Sequence, residues 1–261
     1  VLTYHNDAES HLWGGITKLV AFVYGSLASI LIRRAQAVVS STRSYAETSV
    51  ALKYSMNKLK IIPMGVDASR YDGFEPTVAE ESLERNLLFV GQLKEYKGVE
   101  VLLDALFLLR SEGHFINVNI VGTGPVLENL KRKTKSLGIE NNVRFLGSVS
   151  DRELMQLYAT CDSLVLPSLN RREAFGIVLL EAMAAGRTVV ASDIPGVNEV
   201  ATMAGGFLAR PNDARSLADS ITKSLKNQRH PDDIRKVAQE HSWDKLAAKY
   251  EAVFEELITT E

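Results

Sequence analysis

From Leu87 onward the chain alternates short apolar runs with longer stretches in which apolar residues recur every three or four positions. The short runs are Leu87 to Gly91, Ile116 to Val121, Val143 to Leu146, Ser163 to Pro167, Thr188 to Ala191 and, more weakly, Gly206 to Leu208. Their near-continuous apolar character is that of parallel strands buried on both faces. Between them lie helix candidates. Gly98 to Arg110 puts Val99, Leu102, Leu103, Leu106 and Leu109 on one stripe, and Pro125 to Leu137 opens on a proline and closes at Gly138. Strand and helix in alternation predict a doubly wound parallel sheet.

Residues 1–66 use the same grammar in a smaller dose: Val1 to Tyr4, a long helix to about Arg34, Ala37 to Ser40, a helix over Thr42 to Tyr54, then Leu59 to Pro63. Asp67 to Asn86, rich in acidic residues, glycine and proline and without periodicity, reads as a linker. The tail from Pro231 is helical in pattern, with Ser242 as a candidate cap and Trp243, Leu246, Tyr250, Phe254 and Leu257 on a face that asks for burial. The fold class expected is therefore α/β, with two Rossmann-like doubly wound parallel-sheet domains, the first only partly present. The expected divisions are residues 1–74, 75–235 and 236–261, the last a helix crossing back to the first domain.

Composition narrows the field. With 46% hydrophobic and 24% charged residues, the 261-residue chain can bury a real core. A formal net charge of −2 argues against nucleic acid as a partner. The single cysteine, Cys161, cannot form an internal disulfide and points to a reducing, cytoplasmic setting. The opening residues hold His5, Asp7, Glu9 and His11 without a basic region, unlike a signal peptide, and start as though in the middle of a domain. Leu19 to Ile32 is uncharged but shorter than the roughly 20 residues of a membrane span, so a buried helix is expected ahead of one lying on a membrane surface.

The chemistry concentrates in Glu173 to Gly186, which follows the strand candidate ending at Pro167. A helix starting near Phe175 would aim its free N–H groups at the crevice beyond the strand ends, where an anion is favoured, and Gly176 would let the backbone approach a ligand. Glu173 and Glu181, eight positions apart, would be about 12 Å apart along an ideal helix. A carboxylate between Leu180 and Ala182 is costly to bury without a partner, which favours a functional role for Glu181. No Asp-x-Asp pair and no His/Cys cluster suggests a metal site, and no GxGxxG fingerprint suggests a nicotinamide enzyme.

The run Glu173 to Gly186 resembles the double-glutamate signature of the family 4 retaining glycosyltransferases of the GT-B type. Five further blocks agree in order: Ile61 to Asp67, Phe89 to Leu93 with Lys97-Gly98, Gly122 to Pro125, Val143 to Gly147, and Val189 to Glu199. The resemblance implies transfer of a hexose from a nucleoside diphosphate sugar (a UDP-, GDP- or ADP-sugar) to a sugar or lipid-linked hydroxyl, with retention at the anomeric carbon and without a metal or other cofactor. It implies that Glu181 binds the ribose hydroxyls, that Glu173 binds a hydroxyl of the transferred sugar, and that backbone amides of Phe175, Gly176 and Ile177 hold sugar and phosphate oxygens. Lys97 would neutralise the leaving diphosphate, Gly91 and Gln92 would flank it, and Val149 would lie against the base. His5 resembles the histidine that reaches the donor from the N-terminal domain. A peripheral contact with the inner face of a membrane, made through that domain, is also compatible with the family. One departure stands out: the family has arginine after the glycine of the Gly91-Gln92-Leu93 block, and here Gln92 leaves Lys94, Arg171 or Arg172 to supply the second cation. A nucleotide-sugar-binding fragment or module without turnover of its own is the alternative.

Overall fold

The computed structural model describes residues 1–5, 26–74 and 85–259. Contacts divide the chain into two compact units, Val1–Gly65 with Trp243–Glu261 and Val66–Ser242.

In the first unit, strands β1 (Leu2–Tyr4), β2 (Val38–Ser40) and β3 (Leu59–Ile61) form a parallel sheet in that order. Residues 26–34 form helix α1. The helix expected over Thr42 to Tyr54 is instead α2 (Arg43–Thr48) followed by two 3-10 turns, Leu52–Tyr54 and Met56–Lys58. The break has a local cause: the Ser49 hydroxyl accepts from the Leu52 amide and starts a new turn. Most of the long uncharged stretch lies outside the described residues, and where it is described the expectation of burial is corrected. On α1 only Ile32 is buried, whereas Leu27, Ile30 and Leu31 are exposed.

The second unit holds six parallel strands: β4 (Arg85–Val90), β5 (Ile116–Val121), β6 (Val143–Gly147), β7 (Ser163–Leu166), β8 (Thr188–Ser192) and β9 (Phe207–Ala209). Their spatial order is β6-β5-β4-β7-β8-β9. Counted within the unit this is 3-2-1-4-5-6, the order of the dinucleotide-binding fold, whose direction of winding reverses between β4 and β7. β7 and β8 are buried at every position, as strands covered on both faces must be.

Helices α3 (Val99–Ser111), α4 (Leu127–Ser136) and α8 (Ala214–Lys226) contribute Leu102, Leu109, Leu130 and Leu217 to one core with Leu87, Phe89, Val118 and Ile120 of the sheet. Helix α4 begins two residues after Pro125, which lies in the preceding turn. Helices α5 (Asp151–Thr160), α6 (Ile177–Ala184) and α7 (Val197–Met203) complete the crossovers. A capping box, Ser150 with Glu153, opens α5.

The expected linker needs correction. Asp67 accepts from the Ser69 amide and starts the 3-10 helix Ala68–Tyr71, which buries Tyr71. Residues 75–84 lie outside the described residues.

The tail is two helices, α9 (Pro231–Gln239) and α10 (Trp243–Ile258). On α10, Leu246 and Val253 are buried with Ala37, Val39 and Ile62, and Tyr250 and Leu257 pack at the edge. Trp243, 59% exposed, and Phe254, 48% exposed, do not join that core, so the expected aromatic stripe is only partly covered.

Candidate functional site

In an open parallel sheet, ligands bind beyond the carboxyl ends of the strands where the winding reverses. Here that point lies beyond β4 and β7, and several of the residues of interest follow these two strands. Gly91 and Gln92 follow β4, and Ser168 and Glu173 follow β7.

Lys97 closes the 3-10 turn Glu95–Lys97, which is followed at once by α3. Gly98 makes that junction possible. It has φ +70°, and a Cβ there would lie 1.9 Å from the Pro167 carbonyl oxygen, a clash no side chain tolerates. The Leu169 amide donates to the Tyr96 carbonyl at 2.7 Å and ties the two loops together. Across this junction Lys97 Nζ donates to Glu173 Oε2 in a nearly buried ion pair, with side chains 14% and 13% exposed. The Ser168 hydroxyl donates to the same oxygen at 3.3 Å. The Lys97 amine also lies 3.7 Å from the place a Cβ would take on Gly91, over the end of β4.

Glu173 lies four residues ahead of α6, so the ideal-helix separation from Glu181 does not apply. Gly176 begins α6 with φ +77°, and a Cβ there would sit 2.7 Å from Leu166 Cδ2. The Leu179 amide donates to the Gly176 carbonyl at 2.9 Å, the amides of Ile177 and Val178 precede it in the first turn of α6, and Phe175 just before them is buried.

Glu181, on the body of α6, is partly exposed. It accepts a hydrogen bond at 2.6 Å from the hydroxyl of Tyr158, a fully buried residue of α5. The Tyr71 ring meets the Tyr158 ring edge-on, with centroids 5.8 Å apart. Burial, then the Glu181 charge, push the Tyr158 phenol well above its ordinary range and keep it a donor. Sequence reasoning passed over Tyr158, Tyr71 and Ser168. Tyr158 shares the amphipathic helix Asp151–Thr160 with Leu154, Met155 and Leu157, so in the sequence it reads as one more apolar core position.

The remaining candidates fall as follows. Val149 is half-buried between β6 and the cap of α5. Gln92 is exposed. Lys94 lines a cavity of about 480 Å³ between α3 and α4, with Glu100, Asn129 and Lys133. Arg172, the neighbour of Glu173 in sequence, lies over the ring of Tyr96, the neighbour of Lys97, 4.8 Å from its centroid. His5 is exposed at the end of β1 and belongs to the other unit. Among the described residues, no group of three or more His, Cys, Asp or Glu side chains is placed to hold a metal ion.

Residues 76–241 match the family described as Glycosyl transferases group 1, and the chain belongs to that family. It is 34% identical over 202 residues to the D-rhamnosyltransferase WbpZ of Pseudomonas aeruginosa, covering 74% of this chain and 49% of that protein. It is 30% identical over 237 residues to the O-antigen chain mannosyltransferase C of Escherichia coli, covering 87% and 60%. The chain thus spans about half to three fifths of the length of these relatives. Among solved structures, the sucrose-phosphate synthase of Thermosynechococcus elongatus superposes with a TM-score of 0.76 at 22% identity, covering 99% of this chain and 68% of that one. HepE of Anabaena, in complex with UDP and glucose, superposes with a TM-score of 0.74 at 23% identity, covering 98% and 71%. The fold is that of the GT-B glycosyltransferases.

Proposed function

We propose that this protein is a retaining glycosyltransferase that moves a hexose from a nucleoside diphosphate sugar to a hydroxyl of a sugar or lipid-linked acceptor. The observation that carries this is the Lys97–Glu173 pair at the winding reversal, beside the start of α6. A departing diphosphate gains negative charge as its bond to the anomeric carbon breaks, and a fixed cation with helix-start amides stabilises that charge without metal. In this assignment Lys97 and the amides of Phe175, Gly176 and Ile177 hold the diphosphate and the neighbouring sugar oxygens. Glu173 accepts from a sugar hydroxyl, Glu181 accepts from the ribose, and Gly91, Gln92 and Val149 line the diphosphate and base. His5 has no part in this assignment, which is confined to Val66–Ser242.

Front-face attack is the route this assignment favours, because it gives both carboxylates binding roles and neither the part of a covalent nucleophile. The acceptor oxygen bonds to the anomeric carbon as the carbon–phosphate oxygen bond breaks. The acceptor proton passes to the departing phosphate oxygen. Relatives whose names specify rhamnosyl and mannosyl transfer support a sugar donor. The reducing, cytoplasmic setting inferred from the lone cysteine is where such donors are made available. For a lipid-linked acceptor, Leu27, Ile30 and Leu31 are, among the described residues, exposed apolar side chains grouped on one helix, as contact with a membrane surface requires.

A second reading, capture of the donor without turnover, is favoured by two features. Lys97 is already neutralised by Glu173, and Gln92 supplies no second cation. Calorimetric titration with UDP, GDP and ADP, together with assay of donor consumption, separates the readings. One of the three should bind, and Glu181→Ala should weaken it about tenfold or more while the fold is kept. Glu173→Ala should cost transfer more than nucleotide affinity. Binding by none of the three sinks the donor assignment, and binding without turnover selects the second reading.

A further inference from the structure

The ribose assignment for Glu181 asks a flexible side chain to meet two hydroxyls from a fixed position. A glutamate free to rotate loses rotamer freedom whenever it binds, and a protein that holds it beforehand binds more tightly. The surroundings of Glu181 supply such a hold from behind. Tyr158 is 0% exposed, so its hydroxyl has no alternative in solvent, and its bond to Glu181 Oε2 is 2.6 Å, the length of a charge-assisted O–H···O⁻ bond. The Tyr158 ring cannot swing away, because the Tyr71 ring closes on it edge-on at 79°, and Tyr71 is itself 5% exposed on its short capped 3-10 helix. The second carboxylate oxygen, Oε1, takes no hydrogen bond among the described residues. One oxygen is tied down and one is left for a ligand.

We infer that Tyr158 is a positioning residue for nucleotide recognition, with Tyr71 as its buttress: it clamps one oxygen of Glu181 so that the other meets the ribose hydroxyls. This rests on the reading of Glu181 as the ribose acceptor. It adds that discrimination of ribose from deoxygenated sugars is set from α5, by a residue that touches no ligand atom.

The test compares Tyr158→Phe, Glu181→Ala and the double variant of the full chain, titrated with whichever of UDP, GDP or ADP binds tightest and with its 2′,3′-dideoxy counterpart. Thermal melting checks each fold. Tyr158→Phe should weaken the ribonucleotide about five- to tenfold, leave the dideoxynucleotide unchanged, and add nothing once Glu181 is alanine. Equal weakening of both nucleotides would show a merely structural role and overturn the inference. So would an unchanged ribonucleotide affinity in Tyr158→Phe while Glu181→Ala weakens it. Unchanged affinity in Glu181→Ala itself would remove the ribose assignment and the clamp together, a result distinct from the other two.

Discussion

At the scale of single residues, the buried titratable groups show what the fold excludes from solvent. Cys161 caps the end of α5, is 3% exposed, and lies with its sulfur 3.4 Å from the Tyr158 carbonyl oxygen. Burial pushes its thiol up to about 12, and the nearby Arg187 guanidinium offsets only part of that rise. Only the thiolate attacks, so at about pH 8 the reactive fraction of the folded protein is on the order of one in ten thousand. A thiol-reactive disulfide reagent should therefore leave the native protein unmodified at that pH and titrate one equivalent after denaturation. Rapid native labelling would mean that the α5–β7 junction opens. The Lys97–Glu173 pair follows the other half of this logic. Two nearly buried charges satisfy each other, so truncating either strands its partner, and a loss of stability must be measured before a loss of activity is read as chemistry.

At the scale of elements, the junctions around the site depend on close backbone approach. Gly176→Ala imposes a left-handed conformation on a residue with a Cβ, at about 1–2 kcal/mol, and pushes that Cβ to 2.7 Å from Leu166 and 3.1 Å from Leu179. Gly113, with φ +84° and nothing within 4 Å of where a Cβ would stand, carries the backbone term alone. Gly113→Ala should thus lower stability modestly and leave nucleotide binding alone, whereas Gly176→Ala should cost about 1–3 kcal/mol more and weaken binding, because the start of α6 must shift. Chemical denaturation and calorimetry on both variants check this, and equal losses would contradict a packing role for Gly176. These junctions also explain what could be read in advance. The strands were legible because β7 and β8 are buried on both faces, and a continuous apolar run is the only pattern that allows. Lys97 and Glu173 were legible as candidates through ordered motif blocks. Tyr158 was not: its importance lies in which helix faces it, and the spacing within α5 carries no information about a carboxylate on α6. The Thr42 to Tyr54 segment misled for a local reason, since a serine hydroxyl inside a helical pattern can end one turn and start another.

At the scale of the whole molecule, the chain leaves its first unit after Gly65 and returns to it at Trp243. The sequence pattern of the tail revealed a helix with an apolar stripe, but periodicity states only that a face is apolar and not how much of it is covered. Leu246 and Val253 sit in the core with Val39 and Ile62, while Trp243 lies over Gly65, where an added Cβ would come within 2.7 Å of the indole. A sheet of three short strands buries little surface by itself, so the face contributed by α10 is a large part of that unit's core. The surface pair Lys60–Glu256 adds little, as exposed ion pairs do, and replacing both residues by alanine should change stability by less than about 1 kcal/mol. Leu246→Ala should instead cost about 2–5 kcal/mol, by lost burial and the cavity left against Ala37 and Val39. Deleting Trp243–Glu261 removes the whole face. Hydrogen exchange should then show protection lost over Val38–Ser40 and Leu59–Ile61 but kept over β4, β5 and β7, whose core is built within Val66–Ser242. Protection retained over Val38–Ser40 in the deletion variant would show that the three-stranded sheet stands without α10, and loss over both units would show that their stabilities are not separable.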